Sequence, residues 1–156
     1  MGAVNKLAGY PMKELVPLIK QFLGEGKSVI LTAKGNSMRP MVSDGRDAVI
    51  LSSLGDKPID VGDVILYERT EDVYVLHRVV EISEDGSFVF MGDGQAHTER
   101  GIVSSQMIAK LSGIIRKEKT ISCESKKYLR YSRFWTKSRF IRRVYIKLSG
   151  IFCKNK

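Results

Sequence analysis

Between Lys27 and Arg116 the sequence is a succession of short apolar, β-branched runs cut apart by glycine and aspartate. That texture restricts the fold more than any other feature. The runs are Val29–Thr32, Ala48–Leu51, Val64–Tyr67, Val73–Leu76, Phe88–Phe90 and Ile108–Ile115. Ser43-Asp44-Gly45, Gly55-Asp56-Lys57-Pro58, Glu84-Asp85-Gly86 and Gly92-Asp93-Gly94 separate them. Strands this short, with turn signals at such intervals, predict a mainly β, antiparallel domain over residues 27–116.

The flanks read differently. Over residues 1–26, Leu15, Val16, Ile19, Phe22 and Leu23 recur on one helical face, and Gly24 and Gly26 supply a stop. Pro17 lies inside this pattern, so the spacing predicts a kink or a first turn near Pro17. Over residues 117–156, Tyr131, Phe134, Ser138, Ile141, Tyr145, Leu148 and Phe152 step by three and four among many Lys and Arg. That pattern predicts a basic amphipathic helical tail from Lys117 onward.

Composition excludes several classes. With 43% hydrophobic and 28% charged residues the chain is not wholly disordered. Its apolar runs are far shorter than the ~20 residues of a membrane-spanning helix, and no signal-peptide pattern opens it. Cys123 and Cys153 have no second cysteine nearby, so neither a zinc site nor a disulfide framework follows, and no metal or cofactor is expected. The net charge of +9 conceals a division. Residues 1–113 hold 12 Lys and Arg against 15 Asp and Glu, a net −3, whereas residues 114–156 hold 14 against Glu118 and Glu124, a net +12. A mildly acidic body therefore carries a strongly basic tail, which points to lipid or nucleic acid as an anionic partner.

Three segments carry candidate chemistry, and each has an ordinary structural reading as well. Gly35-Asn36-Ser37-Met38-Arg39-Pro40 follows a strand and leaves Ser37 on a loop, as any tight turn would. His77 interrupts an apolar strand, where a histidine is either a general base or a satisfied core residue. His97 lies in a polar stretch and reads as a surface residue. Met91-Gly92-Asp93-Gly94 makes a hairpin turn, yet a buried Asp is also what a catalytic histidine needs to hold its tautomer.

Taken together, these segments resemble the superfamily of signal peptidase I and the self-cleaving LexA-like repressors. The similarity covers about residues 15–116. Ser37-Met38-Arg39-Pro40 is similar to the family's nucleophile box, Gly62-Asp63-Val64-Ile65 to its Gly-Asp-Val strand entry, His77-Arg78-Val79-Val80 to its general-base strand and Gly92-Asp93 to its last box. Ala109-Lys110-Leu111 to Gly113 occupies the place of the closing strand. A histidine where many members carry lysine resembles the endoplasmic-reticulum and archaeal branch. The resemblance implies a small antiparallel sheet or partly open barrel of signal-peptidase type. It assigns Ser37 as nucleophile, His77 as general base and then acid, and Asp93 as orienter, with Glu99 the only candidate for a second acid. Gly35 and Met38 support the nucleophile. The Ser37 backbone N–H is the expected oxyanion donor, while Gly35 stands where many bacterial members carry a hydroxyl, leaving the second donor open.

The implied activity is hydrolysis of an extended leader or signal peptide through an acyl-enzyme, with small residues such as Ala beside the cut. The family's membrane-bound members carry an N-terminal transmembrane helix and its repressors a DNA-binding domain. Neither is expected in this chain, which implies a minimal catalytic domain. The basic tail is then expected to hold the protein peripherally on an anionic membrane, on the cytoplasmic side, or else to pack on the protein's own body or a partner; its aromatic stripe suits a bilayer better than a nucleic-acid duplex. An autoproteolytic nucleic-acid-associated regulator and an inactive binding scaffold are the alternatives.

Overall fold

The computed structural model of the chain describes residues 4–7, 10–138, 141–142 and 144–148. It is mainly β. One sheet takes the strand order β1(Val4–Leu7), β2(Ser28–Thr32), β3(Asp47–Ser52), β8(Met107–Arg116), β4(Val64–Thr70), β5(Val73–Ile82), β6(Phe88–Met91), β7(Glu99–Ile102). A ninth strand, β9(Lys119–Ser122), pairs with β8 outside that order. The β1–β2 pair is parallel and every other pair antiparallel. Each expected run became a strand, most a residue or more longer at an end.

The strand β8 is the hub. One edge pairs with β3 from Lys110 to Arg116; the other is shared, β4 taking Met107 to Lys110 and β9 taking Gly113 to Arg116. The helix α1(Met12–Gly24) packs Leu15, Val16, Ile19 and Leu23 against the β2–β3–β8 side, where Val29, Val49, Leu51, Leu111 and Ile114 complete one core. A second core gathers Ile65, Tyr67, Val79, Phe88, Phe90 and Met107, with the Tyr67 and Phe90 rings 4.4 Å apart between centroids.

Two local devices fix α1. Gly26 adopts φ +72° and the Lys27 N–H donates to the Phe22 carbonyl while Gly26 N–H reaches Leu23. That Schellman closure is the stop Gly26 supplies. Pro17 sits in the second turn of an uninterrupted helix, not at its start. The carbonyl that loses its donor there belongs to Lys13, an exposed residue. An ion pair from Lys13 to Asp72 ties the helix to the β4–β5 turn.

The boundary expected at Lys117 falls inside a hairpin. Lys117 and Glu118 both take positive φ, 49° and 63°, and with Arg116 paired to Lys119 they form a two-residue turn that brings β9 back along β8. The sheet therefore runs to Ser122. The helix α2(Lys126–Lys137), capped by the Ser125 hydroxyl accepting from Tyr128 N–H, then packs on the body. It buries Tyr128, Ser132 and Trp135, whereas Phe134, Ile141 and Leu148 of the expected apolar stripe stay exposed. Phe152 lies outside the described residues. Among the described residues no helix is long and apolar enough to cross a membrane.

Candidate active site

Ser37 sits just beyond β2. The chain leaves the sheet after Ala33, whose N–H still donates to the Asp47 carbonyl, and turns through 37–40 with a cis Arg39–Pro40 peptide. Met38 buries its side chain in the first core and so pins the turn, leaving Ser37 half-buried. Behind it, Asp47 accepts from Ser43 N–H, Arg46 and Arg116, and both guanidinium groups also donate to the Met41 carbonyl. Burial alone would raise the Asp47 pKa, but these donors hold it down at about 2.

The Ser37 carbonyl accepts from Gly94 N–H at 2.8 Å. Gly92 is needed for this approach, because a Cβ there would lie 2.5 Å from the same carbonyl oxygen. Neither the Ser37 hydroxyl nor its backbone N–H makes a hydrogen bond among the described residues. Ser37 lines an apolar cleft of about 550 Å³ together with Leu31, Ala33, Leu66, Tyr74 and Leu76. Along that cleft β5 has an edge unpaired among the described residues: its residues 73–77 pair with β4 on one side, and its pairing with β6 begins only at Arg78.

His77 is the next residue after Leu76 and is 1% exposed. Alternation along β5 turns it away from Leu76, toward Tyr67. Its Nδ1 lies 3.1 Å from Glu99 Oε1 on β7. Glu99 is itself fixed: Tyr67 donates to Oε2 at 2.9 Å, and Arg69 donates through Nε at 2.7 Å and Nη2 at 2.5 Å. Burial opposes ionisation of Glu99, yet the Arg69 and Tyr67 donors and the nearby imidazole keep its pKa below the ordinary value. Tyr67 Oη also lies 3.4 Å from Nδ1 but gives its own proton to Glu99, and an ionised carboxylate only accepts, so the proton of neutral His77 belongs on Nδ1 and the lone pair on Nε2. Burial pushes the His77 pKa down, and the attraction of Glu99 only partly offsets it. His77 is thus neutral near pH 7, and its basic nitrogen makes no hydrogen bond among the described residues. No hydrogen bond joins Nε2 to Ser37 among the described residues.

Asp93 is not the partner of His77. Its carboxylate takes both arms of Arg78, Nε to Oδ1 at 2.8 Å and Nη2 to Oδ2 at 2.7 Å. The register explains the exchange. Arg78 stands opposite Met91, so Asp93, two residues on, falls on the Arg78 side of β5, while β7 brings Glu99 across to the face of His77. α2 completes this buried pair: Tyr131 donates to Asp93 Oδ2, Trp135 Nε1 to the Asp93 carbonyl, and the Ser132 hydroxyl accepts from Arg78 Nη1. The same loop thereby holds Ser37 through Gly94 and Arg78 through Asp93. Through this loop Ser37 is linked to Arg78, the neighbour of His77 on β5.

Gly35 has its N–H on the Asp44 carboxylate, away from the serine hydroxyl. His97 is exposed on the β6–β7 loop. Tyr67, Arg69 and the inner face of α2 belong to the surroundings of the site, and no motif in the sequence points to them. Among the described residues no group of three or more His, Cys, Asp or Glu is placed to hold a metal ion. No protein-family model matches the chain, and no curated protein matches it.

Proposed function

We propose that the chain is a serine endopeptidase of signal-peptidase type, with Ser37 as nucleophile, His77 as general base and Glu99, rather than Asp93, as the carboxylate that orients it. The observation that carries this reading is the buried His77 whose Nδ1 faces a clamped, ionised Glu99 3.1 Å away, which leaves Nε2 as a base in the required tautomer. The sequence resemblance and the partly open sheet support the same assignment. An extended peptide adds to the open edge of β5 and lays side chains into the apolar cleft beside Ser37.

The Ser37 hydroxyl then attacks the scissile carbonyl carbon as its proton passes to His77 Nε2. The tetrahedral oxyanion takes the unbonded Ser37 N–H. Collapse breaks the C–N bond, Nε2 returns the proton to the leaving amine, and water attacks the acyl ester by the same path. Glu99 stays ionised and holds the imidazolium throughout. The basic tail supports a peripheral position at a membrane surface.

A binding domain without catalysis is the second reading, and the missing Ser37–His77 hydrogen bond favours it. Comparing protein N-termini by mass spectrometry in cells with the native chain or Ser37→Ala separates the two. Precursors that stay uncut only in the variant support the peptidase; identical N-termini overturn it. Changes confined to this protein's own termini favour a self-cleaving regulator.

A further inference from the structure

The helix α2 has two unlike faces. Its inner face is spent on the body, through Tyr128, Ser132 and Trp135. The opposite face is a ridge of Lys126, Arg130, Arg133 and Lys137, all exposed. At spacings of four, three and four residues these side chains stand one above another along about 17 Å of helix. On either side of the ridge lie Leu129, 43% exposed, and Phe134, 50% exposed. Exposed Ile141, Val144 and Leu148 follow. No Asp or Glu occurs after Glu124, so the ridge has no acidic neighbour along its own segment to neutralise it.

Like charges repeated at this spacing repel one another along a helix, and an anionic surface relieves that repulsion. We propose that the outer face of α2 docks on an anionic phospholipid bilayer. The Lys and Arg heads enter the phosphate layer, while Leu129 and Phe134 reach the boundary between headgroups and acyl chains. The flanking apolar side chains favour lipid over nucleic acid: they gain by entering the acyl boundary and gain little beside a phosphodiester backbone.

This contact keeps Phe134 of the stripe expected from the sequence but not Tyr131, which lies with Trp135 against the body. Those rings are stacked on each other and hold Asp93. Docking by the ridge leaves the Asp93 loop about one helix diameter, roughly 10–12 Å, below the lipid surface. If Ser37 is the nucleophile, peptides are therefore cut close to the headgroups. The docking itself does not depend on that reading.

The test is co-sedimentation of the full chain with phosphatidylcholine vesicles, with and without phosphatidylglycerol. Binding is expected only to the phosphatidylglycerol vesicles and is expected to fall as salt rises. Replacing the ridge together (Lys126→Gln, Arg130→Gln, Arg133→Gln and Lys137→Gln) is expected to weaken it on the order of 10²- to 10³-fold. Phe134→Ala alone, at a half-exposed position on the outer face, is expected to weaken it several-fold. Lys20→Gln with Lys57→Gln, exposed but off the ridge, is expected to change nothing. Equal binding by the ridge variant, equal binding to neutral vesicles, or retention by duplex DNA with the vesicles left unbound would each overturn the proposal.

Discussion

Arg78 and Asp93 form a two-pronged ion pair whose side chains are 1% and 2% exposed, roofed by α2 and set one residue beyond His77. Removing one charge from such a pair strands the other in a medium that solvates it poorly. Asp93→Asn is therefore expected to destabilise the fold by about 3–5 kcal/mol. Urea unfolding monitored by Trp135 fluorescence measures it, and a loss under about 1 kcal/mol would show that the fold does not depend on the Asp93 charge.

Glu99→Gln is expected to act on rate instead. The carboxylate is half-buried and its loss leaves His77 without a fixed tautomer, so cleavage should slow on the order of 10²- to 10⁴-fold, with a smaller effect on unfolding than Asp93→Asn. Ser37→Ala should cost on the order of 10⁴- to 10⁶-fold. A reversed ranking, with Asp93→Asn selectively abolishing cleavage in a protein as stable as the parent, would restore Asp93 as the orienter.

His77 and Asp47 each give stability a pH dependence. Burial holds the His77 pKa below 6.5 in the folded protein, so the unfolded chain binds the proton more readily. Stability is then complete above about pH 6.5 and falls as pH drops toward the folded value. The rate of cleavage should climb through that same depressed pKa and level off near neutrality. Asp47 acts further down, from about 3.8 to about 2, where protonation releases Arg116 and Arg46. It contributes about 2 kcal/mol, lost across that window. Urea midpoints against pH should show both steps, and His77→Gln should erase the upper one alone.

Truncation after Ser122 removes α2, part of the basic helical tail expected from the sequence. It takes away Tyr131, Ser132 and Trp135 from Arg78 and Asp93. Trp135→Ala by itself should cost about 3–5 kcal/mol, and the truncated chain should melt well below the full one. Equal melting temperatures would show that α2 is dispensable to the body.

The sequence determined what depends on local pattern. Six strands, the amphipathic face of α1 and its stop at Gly26 were legible, because period-two runs and glycine punctuation act over a few residues. β7, Glu99-Arg100-Gly101-Ile102, and β9, Lys119-Thr120-Ile121-Ser122, carry too little apolar surface to announce themselves, and a turn of Lys117 and Glu118 has no glycine to mark it. Ser37, His77, Asp93 and Glu99 could be named from the sequence, but not paired. Which carboxylate meets His77 is a matter of register across β5, β6 and β7, where one residue of slip exchanges the two faces of a strand. The inner face of α2 was likewise decided by the body: Tyr131 donates to the buried Asp93 carboxylate, Trp135 to the Asp93 backbone carbonyl, and Tyr128 joins the first core, which turns the helix so that its cations face outward.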